Sequence, residues 1–236
     1  LVSVHALAVA SNKLALTDGT RILLLNVATP ASPTLLGSAT AAAYAHDLAW
    51  CGNNVVVADG PAGLTVWNGS NLSALGSYNT EGRALAVQCA GNLAFVADGD
   101  SGWLTLDLTT PSAPALLSSQ SGASVGLTAY GSRVYTADGH GTIASVDSSD
   151  PITPVPAKNY QALTRALRMR AAPQGLLVSE DAAGLALLST GSTDADADGL
   201  PDWWEQQLVD ANPADGLTSI NDVLPGGGDA RALAAL

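Results

Sequence analysis

Hydrophobic and polar positions alternate in short runs along the first 190 residues, and each run stops at a cluster of Gly, Pro, Asn, Asp or Ser. Alternation with a period of two, broken by turn residues, predicts short β-strands. The clearest unit is VVVADGPAGLTVWN, residues 55–68, in which Val55 to Ala58 run into an Asp-Gly turn at Asp59 and Leu64 to Trp67 run out of it. Asp59 has counterparts at Asp18, Asp98, Asp138 and Asp181, at steps of 41, 39, 40 and 43 residues. The fourth copy reads VYTADGHGTIASVD, and the fifth is worn to LVSEDAAGLALLS, with the glycine after Asp181 lost. A period of this length, holding several short strands, predicts the blades of a β-propeller.

In chain order, the first copy gives a strand, a Ser-Asn turn, a strand, the Asp18-Gly19 turn, a third strand, a Pro30-Ala31-Ser32-Pro33 corner and an outer strand near Leu35–Ser38. Proline suits the corner because it fixes φ and removes a donor, which stops the third strand pairing further. Pro111-Ser112-Ala113-Pro114 and Pro151-Ile152-Thr153-Pro154 repeat the corner, and Asn68-Gly69-Ser70-Asn71 replaces it in the second copy. Further outer strands fall near Ala74–Tyr78, Ala115–Ser119 and Val155–Tyr160, whereas the fifth copy runs from Leu188 into an acidic tail. The expectation is five blades of four antiparallel strands over residues 1–190, with Leu1-Val2-Ser3-Val4 completing the last blade and removing its open edge. A larger ring, or pairing with another chain, is the alternative.

The repeats, with their ADG, GL and V positions and Pro-rich corners, resemble LVIVD repeats, a β-propeller family of secreted and surface-attached bacterial and archaeal proteins. The resemblance spans roughly residues 1–190 and is best in the second and third copies. It implies a fold and an address more than an activity.

Composition adds an electrostatic constraint. The 236 residues are 47% hydrophobic and only 13% charged, with a net charge of −12. Residues 194–236 hold 9 acids and 1 base, so the tail carries −8 of that charge. This balance opposes sequence-independent nucleic-acid binding, which rests on Lys and Arg neutralising phosphates. It favours cations. No apolar run is long enough to span a bilayer as a helix. The start at Leu1, without Met or a basic leader, reads as a mature or excised chain, and the expected location is extracellular or the cell surface.

Residues 191–236 carry the sharpest chemical motif, Asp194-Ala-Asp196-Ala-Asp198-Gly199-Leu200-Pro201-Asp202-Trp203-Trp204-Glu205. On a twelve-residue calcium loop this places Asp at positions 1, 3, 5 and 9, Gly at 6, the Leu200 carbonyl at 7 and Glu205 at 12. Alternate aspartates converge on one hard cation, and calcium is the expected cofactor. The segment also resembles the thrombospondin type 3-like calcium repeats of bacterial surface proteins. A second unit with Asp210, Asn212, Asp215 and Asp222 is shifted in register, so it is either a second site or a partner that supports the first.

The remaining candidates each have a bland reading beside a functional one. Asp18, Asp59, Asp98 and Asp138 suggest a ring of ligands, but Asp-Gly is a favoured hairpin pair and Asp can bond its own turn. His5, His46, Arg83 and Arg165 precede inner strands and face the mouth of a central channel, as anion ligands or as polar end-caps. Cys51 and Cys89 lie near the ends of inner strands in adjacent copies, offset by an insertion before Asn92. They are either a disulfide between blades or two buried thiols. Trp50, Trp67 and Trp103 are expected to pack between sheets rather than stack on sugars.

No nucleophile elbow or phosphate loop is present. The sequence therefore reads as a non-enzymatic extracellular interaction or assembly module that self-associates through its tail, as in a surface layer or filament, with tail geometry set by calcium. An adhesin or a propeller binding a sugar or an anion is the alternative, and a hydrolase or lyase is the third class.

Overall fold

A computed structural model describes residues 3–162, 164–172, 175–181 and 184–188. Among these residues the chain is all-β, a five-bladed propeller of antiparallel sheets without a helix. Blade 1 comprises β1 (Ala6–Ala10), β2 (Lys13–Thr17), β3 (Arg21–Asn26) and β4 (Thr34–Thr40). Blade 2 comprises β5 (Asp47–Cys51), β6 (Asn54–Ala58), β7 (Leu64–Asn68) and β8 (Ala74–Tyr78). Blade 3 comprises β9 (Ala86–Ala90), β10 (Leu93–Ala97), β11 (Trp103–Asp107) and β12 (Ala115–Gln120). Blade 4 comprises β13 (Gly126–Tyr130), β14 (Arg133–Ala137), β15 (Thr142–Asp147) and β16 (Val155–Gln161). Blade 5 has β17 (Ala166–Ala172), β18 (Gly175–Glu180) and β19 (Gly184–Leu188).

The position of a strand in its blade explains its sequence. β6 is covered on both faces, so Val55, Val56 and Val57 are all fully buried and the strand reads as a continuous apolar run. The outer strand β16 has almost every side chain exposed and reads as mixed. Between blades 1 and 2, Ala15, Ile22 and Leu24 pack against Leu48, Val55 and Val57. Between blades 2 and 3, Val56, Leu64 and Val66 meet Val87, Val96 and Leu104. Phe95 and Trp103 join blade 3 to blade 4, their ring centroids 6.4 Å apart. Each fully buried Val, Leu or Ile contributes about 1.5–3 kcal/mol relative to exposure. These seams hold the blades together.

The corners have a common local cause. The last residues of the third strands, Asn26, Asn68, Asp107 and Asp147, each accept the backbone N–H two positions on, at 2.9, 2.8, 2.7 and 2.9 Å. Such an Asx turn ends the strand and starts the corner, with or without proline. The outer strand then pairs back with a register shift at the same place in blades 1 to 4. The next blade's corner comes close to that strand: a Cβ on Gly37 would stand 2.8 Å from the carbonyl oxygen of Asn71.

Two expectations are corrected. Ser3 and Val4, expected in a closing strand, lie in no strand, and three strands of blade 5 are described. The fifth turn is not organised by Asp181, which is exposed; Glu180, one residue earlier, is buried and takes that role. The inner strands pack β1 on β5, β5 on β9, β9 on β13 and β13 on β17, but β17 and β1 lack this close packing. Residues 191–236, with the calcium motif, lie outside the described residues.

Candidate functional site at the central channel

The first strand of every blade is the innermost, so one edge of β1, β5, β9, β13 and β17 has no sheet partner and faces the axis. Between them is a cavity of about 540 Å³ to which all five blades contribute. Its walls include Leu7 and Val9 from blade 1, Asp47 and Trp50 from blade 2, Gln88 from blade 3, Leu127 from blade 4, and Arg168 and Arg170 from blade 5.

Asp47 and Arg168 meet across this space. The nearest guanidinium nitrogen is 3.6 Å from Oδ2 of Asp47, which also accepts the backbone N–H of Val87 at 3.1 Å. Burial pushes the Asp47 carboxyl above the usual range, opposed by Arg168 and by the Val87 and Leu48 amides. Farther round the wall, the Ala171 N–H donates to the Thr128 hydroxyl at 3.2 Å, and that hydroxyl donates to Oε1 of Gln88 at 3.3 Å. Trp50 donates its indole N–H to the Ala8 carbonyl at 3.1 Å, which fixes its ring between blades 1 and 2.

At the mouth the structure gathers part of the expected set. The Tyr44 hydroxyl lies 2.9 Å from Nε2 of His5, and the Tyr44 ring is 4.9 Å from that of His46. Gly19, at φ +93°, lies under the Tyr44 ring, so any side chain there would collide with it. Nε2 of His46 is buried without a hydrogen-bond partner. Burial, then the charges of Arg83, Arg168 and His5, push the His46 pKa down, against a smaller pull from Asp59. Arg165 is turned aside and donates Nε to the Gly139 carbonyl at 3.0 Å. Strand register makes His5, His46, Leu85, Val125 and Arg165 equivalent, and places Arg83 two residues earlier, level with Tyr44. The four residues are therefore not one repeated position.

The turn carboxylates do not form a ligand ring. Asp18 bonds Thr20 and Arg21 in its own turn, and the Arg21 guanidinium 2.7 Å away holds its carboxyl well below the usual range. Asp138 accepts three N–H groups of its own turn. Asp59, Asp98 and Glu180 instead reach back to the segment that enters their blade, at Ala42 and Ala43, at Thr80 and Gly82, and at Thr164. Among the described residues no three His, Cys, Asp or Glu side chains converge as a metal set.

Cys51 and Cys89 form a disulfide between blades 2 and 3, with Cα atoms 5.4 Å apart. No insertion separates the copies: Cys89 is level with Trp50, and Ala90 with Cys51. Successive side chains of a strand point to opposite faces. The one-residue offset therefore lets Cys51 face blade 3 while Cys89 faces blade 2.

Sequence reading missed Tyr44, Asp47, Gln88, Arg168 and Arg170. Their signal was present, as polar side chains inside inner strands or at their mouths. A motif defined by spacing within one stretch does not contain them, because they converge from three blades.

Residues 42–80 and 81–120 match the LVIVD repeat, so blades 2 and 3 are LVIVD repeats. No curated protein matches the chain in sequence. Among solved structures the chain is similar to the computationally designed Ika8 protein, at 16% identity and a TM-score of 0.64, covering 79% of this chain and 58% of that one. It is also similar to the β-propeller domain of Cps50 (Swd1) from Myceliophteria thermophila, at 11% identity and a TM-score of 0.64, covering 85% and 71%. BamB from Moraxella catarrhalis is similar at 13% identity and a TM-score of 0.59, covering 79% and 58%. The chain thus spans less than two thirds of the length of Ika8 and of BamB. At these identities the likeness is one of fold.

Proposed function

We propose that the protein is a non-enzymatic extracellular assembly module that associates with copies of itself through the two ends of its row of blades. One observation carries this reading. Leu7 and Val9 occupy in blade 1 the positions that Leu48 and Trp50 occupy in blade 2. Leu48 is 4% exposed against blade 1, whereas Leu7 is 61% and Val9 60% exposed. Blade 1 thus offers a face of the type that elsewhere receives a preceding blade. Blade 5 offers the opposite kind of face at the other end, with Leu185 71% exposed and Leu177 partly so.

A contact between blade 5 of one copy and blade 1 of the next reuses the packing that joins blades within the chain. It is a heterologous contact, so it propagates into rings or filaments. Its driving force is burial of apolar surface. Calcium acts on the tail in this reading: Asp194, Asp196, Asp198, the Leu200 carbonyl, Asp202 and Glu205 supply the oxygen ligands a hard cation takes. Binding neutralises the repulsion among those carboxylates and sets the direction of the tail.

Electron microscopy of the purified protein, with calcium and after chelation, tests the proposal. Filaments or sheets that loosen on chelation are the expected result. Single discs under both conditions would overturn it.

A further inference from the structure

We propose that the central channel binds a small molecule carrying an oxyanion, a carboxylate or a phosphate, which docks on Arg168 and Arg170. The site shares a cavity with Leu7 and Val9 of the blade-end contact argued above, but it uses different side chains on the wall of blade 5. Arg168 and Arg170 are two residues apart on β17 and both line the cavity, so their guanidinium groups project from one face of the strand. Arg168 is only half engaged. Its separation from Asp47, 3.6 Å, exceeds the usual hydrogen-bond range, and its side chain is 52% exposed. Its planar fork of donors is therefore free to take a carboxylate or phosphate in bidentate fashion.

The rest of the wall supplies donors rather than competitors. Gln88 uses its amide oxygen on Thr128, which leaves the NH2 group as a donor. The unpaired edges of the inner strands add backbone N–H groups. Among the described residues the wall holds one carboxylate, Asp47, and two arginines, Arg168 and Arg170, so this part of the wall is positive within a chain of net charge −12. Nine Lys and Arg serve the whole sequence, and three of them, Arg165, Arg168 and Arg170, fall within six consecutive residues. An anion in the surrounding solution meets this concentration of positive charge at the mouth, where Nε2 of His46 is buried and unpartnered beside Arg83. The volume of about 540 Å³ suits a small metabolite rather than a polymer.

Isothermal titration in calcium-free, low-salt buffer tests the site with two probes, succinate and inorganic phosphate. The comparison includes wild type, the double variant Arg168→Gln/Arg170→Gln, and Arg21→Gln, which removes a positive charge outside the channel. Binding of either probe that weakens at least tenfold in the double variant, and stays unchanged in Arg21→Gln, supports the site. Uptake of succinate alone assigns a carboxylate ligand, and uptake of phosphate alone assigns a phosphate. Asp47→Asn should tighten binding, because it removes the competing carboxylate while keeping the shape of the side chain. A loss confined to the double variant counts only if its circular dichroism and melting temperature match wild type; Arg170→Gln alone, at an exposed position, provides the readout if they do not. Binding of neither probe, or equal binding by all variants, would overturn the inference.

Discussion

In blade 5 the Oε2 atom of Glu180 accepts the backbone N–H of Thr164 at 2.8 Å, so a glutamate one residue earlier does what an aspartate does in blades 2 and 3. These carboxylates tie each turn to the segment that brings the chain in from the preceding blade. The backbone bonds are part-buried and end on a charged acceptor, a kind of hydrogen bond that contributes about 1.5–3 kcal/mol. Asp59→Ala should therefore lower the unfolding free energy by that amount in urea titrations, since Ala42 and Ala43 both lose their acceptor. Asp18→Ala should cost less, because its carboxylate serves an exposed turn. Equal losses would mean that the bonds across the blade entry carry no special weight.

The Cys51–Cys89 disulfide joins neighbouring blades across a sequence separation of 38 residues. A cross-link of this kind typically contributes about 2–4 kcal/mol, largely by restricting the unfolded chain. Cys89→Ser, or reduction of the wild type, should lower the denaturation midpoint accordingly, while reductant should leave the variant unchanged. Mass spectrometry of the unreduced, unfolded chain after thiol alkylation gives an independent check, with no label expected on either cysteine.

His46 should make stability sensitive to pH. Its folded pKa lies below the ordinary 6.5 because of burial and the charges of Arg83, Arg168 and His5, which outweigh the pull of Asp59. The unfolded state then binds the proton more readily, so stability is full above about 6.5 and falls as pH drops from there toward the lowered folded value. Melting temperatures measured from pH 8 to pH 5 should decline in wild type and decline less in His46→Gln. A parallel decline in both proteins would assign the effect to other groups.

Calcium should bind through the acidic tail. Titration is expected to show uptake that is lost in Asp196→Ala, with a melting temperature that no longer responds to calcium. Unchanged uptake in that variant would place the ion elsewhere.

Much of the architecture is legible in the sequence because blade geometry is a local property. The Asp-Gly turns, the alternation and the Pro-rich corners each act within a few residues, and their 40-residue recurrence reports the blades. Glu180 was missed because a longer side chain reaches the same donor from the neighbouring register, which no residue-by-residue match reveals. The cysteine offset looked like an insertion, and only strand pairing shows that it turns Cys89 toward Cys51. The channel was the least legible part. Asp47 and Arg168 are 121 positions apart in sequence and meet only because their strands line one axis.

Self-association rests on the exposed end of blade 1, and sedimentation velocity of wild type against Leu7→Glu/Val9→Glu decides whether it occurs there. Wild type is expected to sediment as oligomers whose size grows with concentration, and the variant as a folded monomer with an unchanged circular dichroism spectrum. A wild type that is monomeric at every concentration, or a variant that assembles just as well, would contradict it.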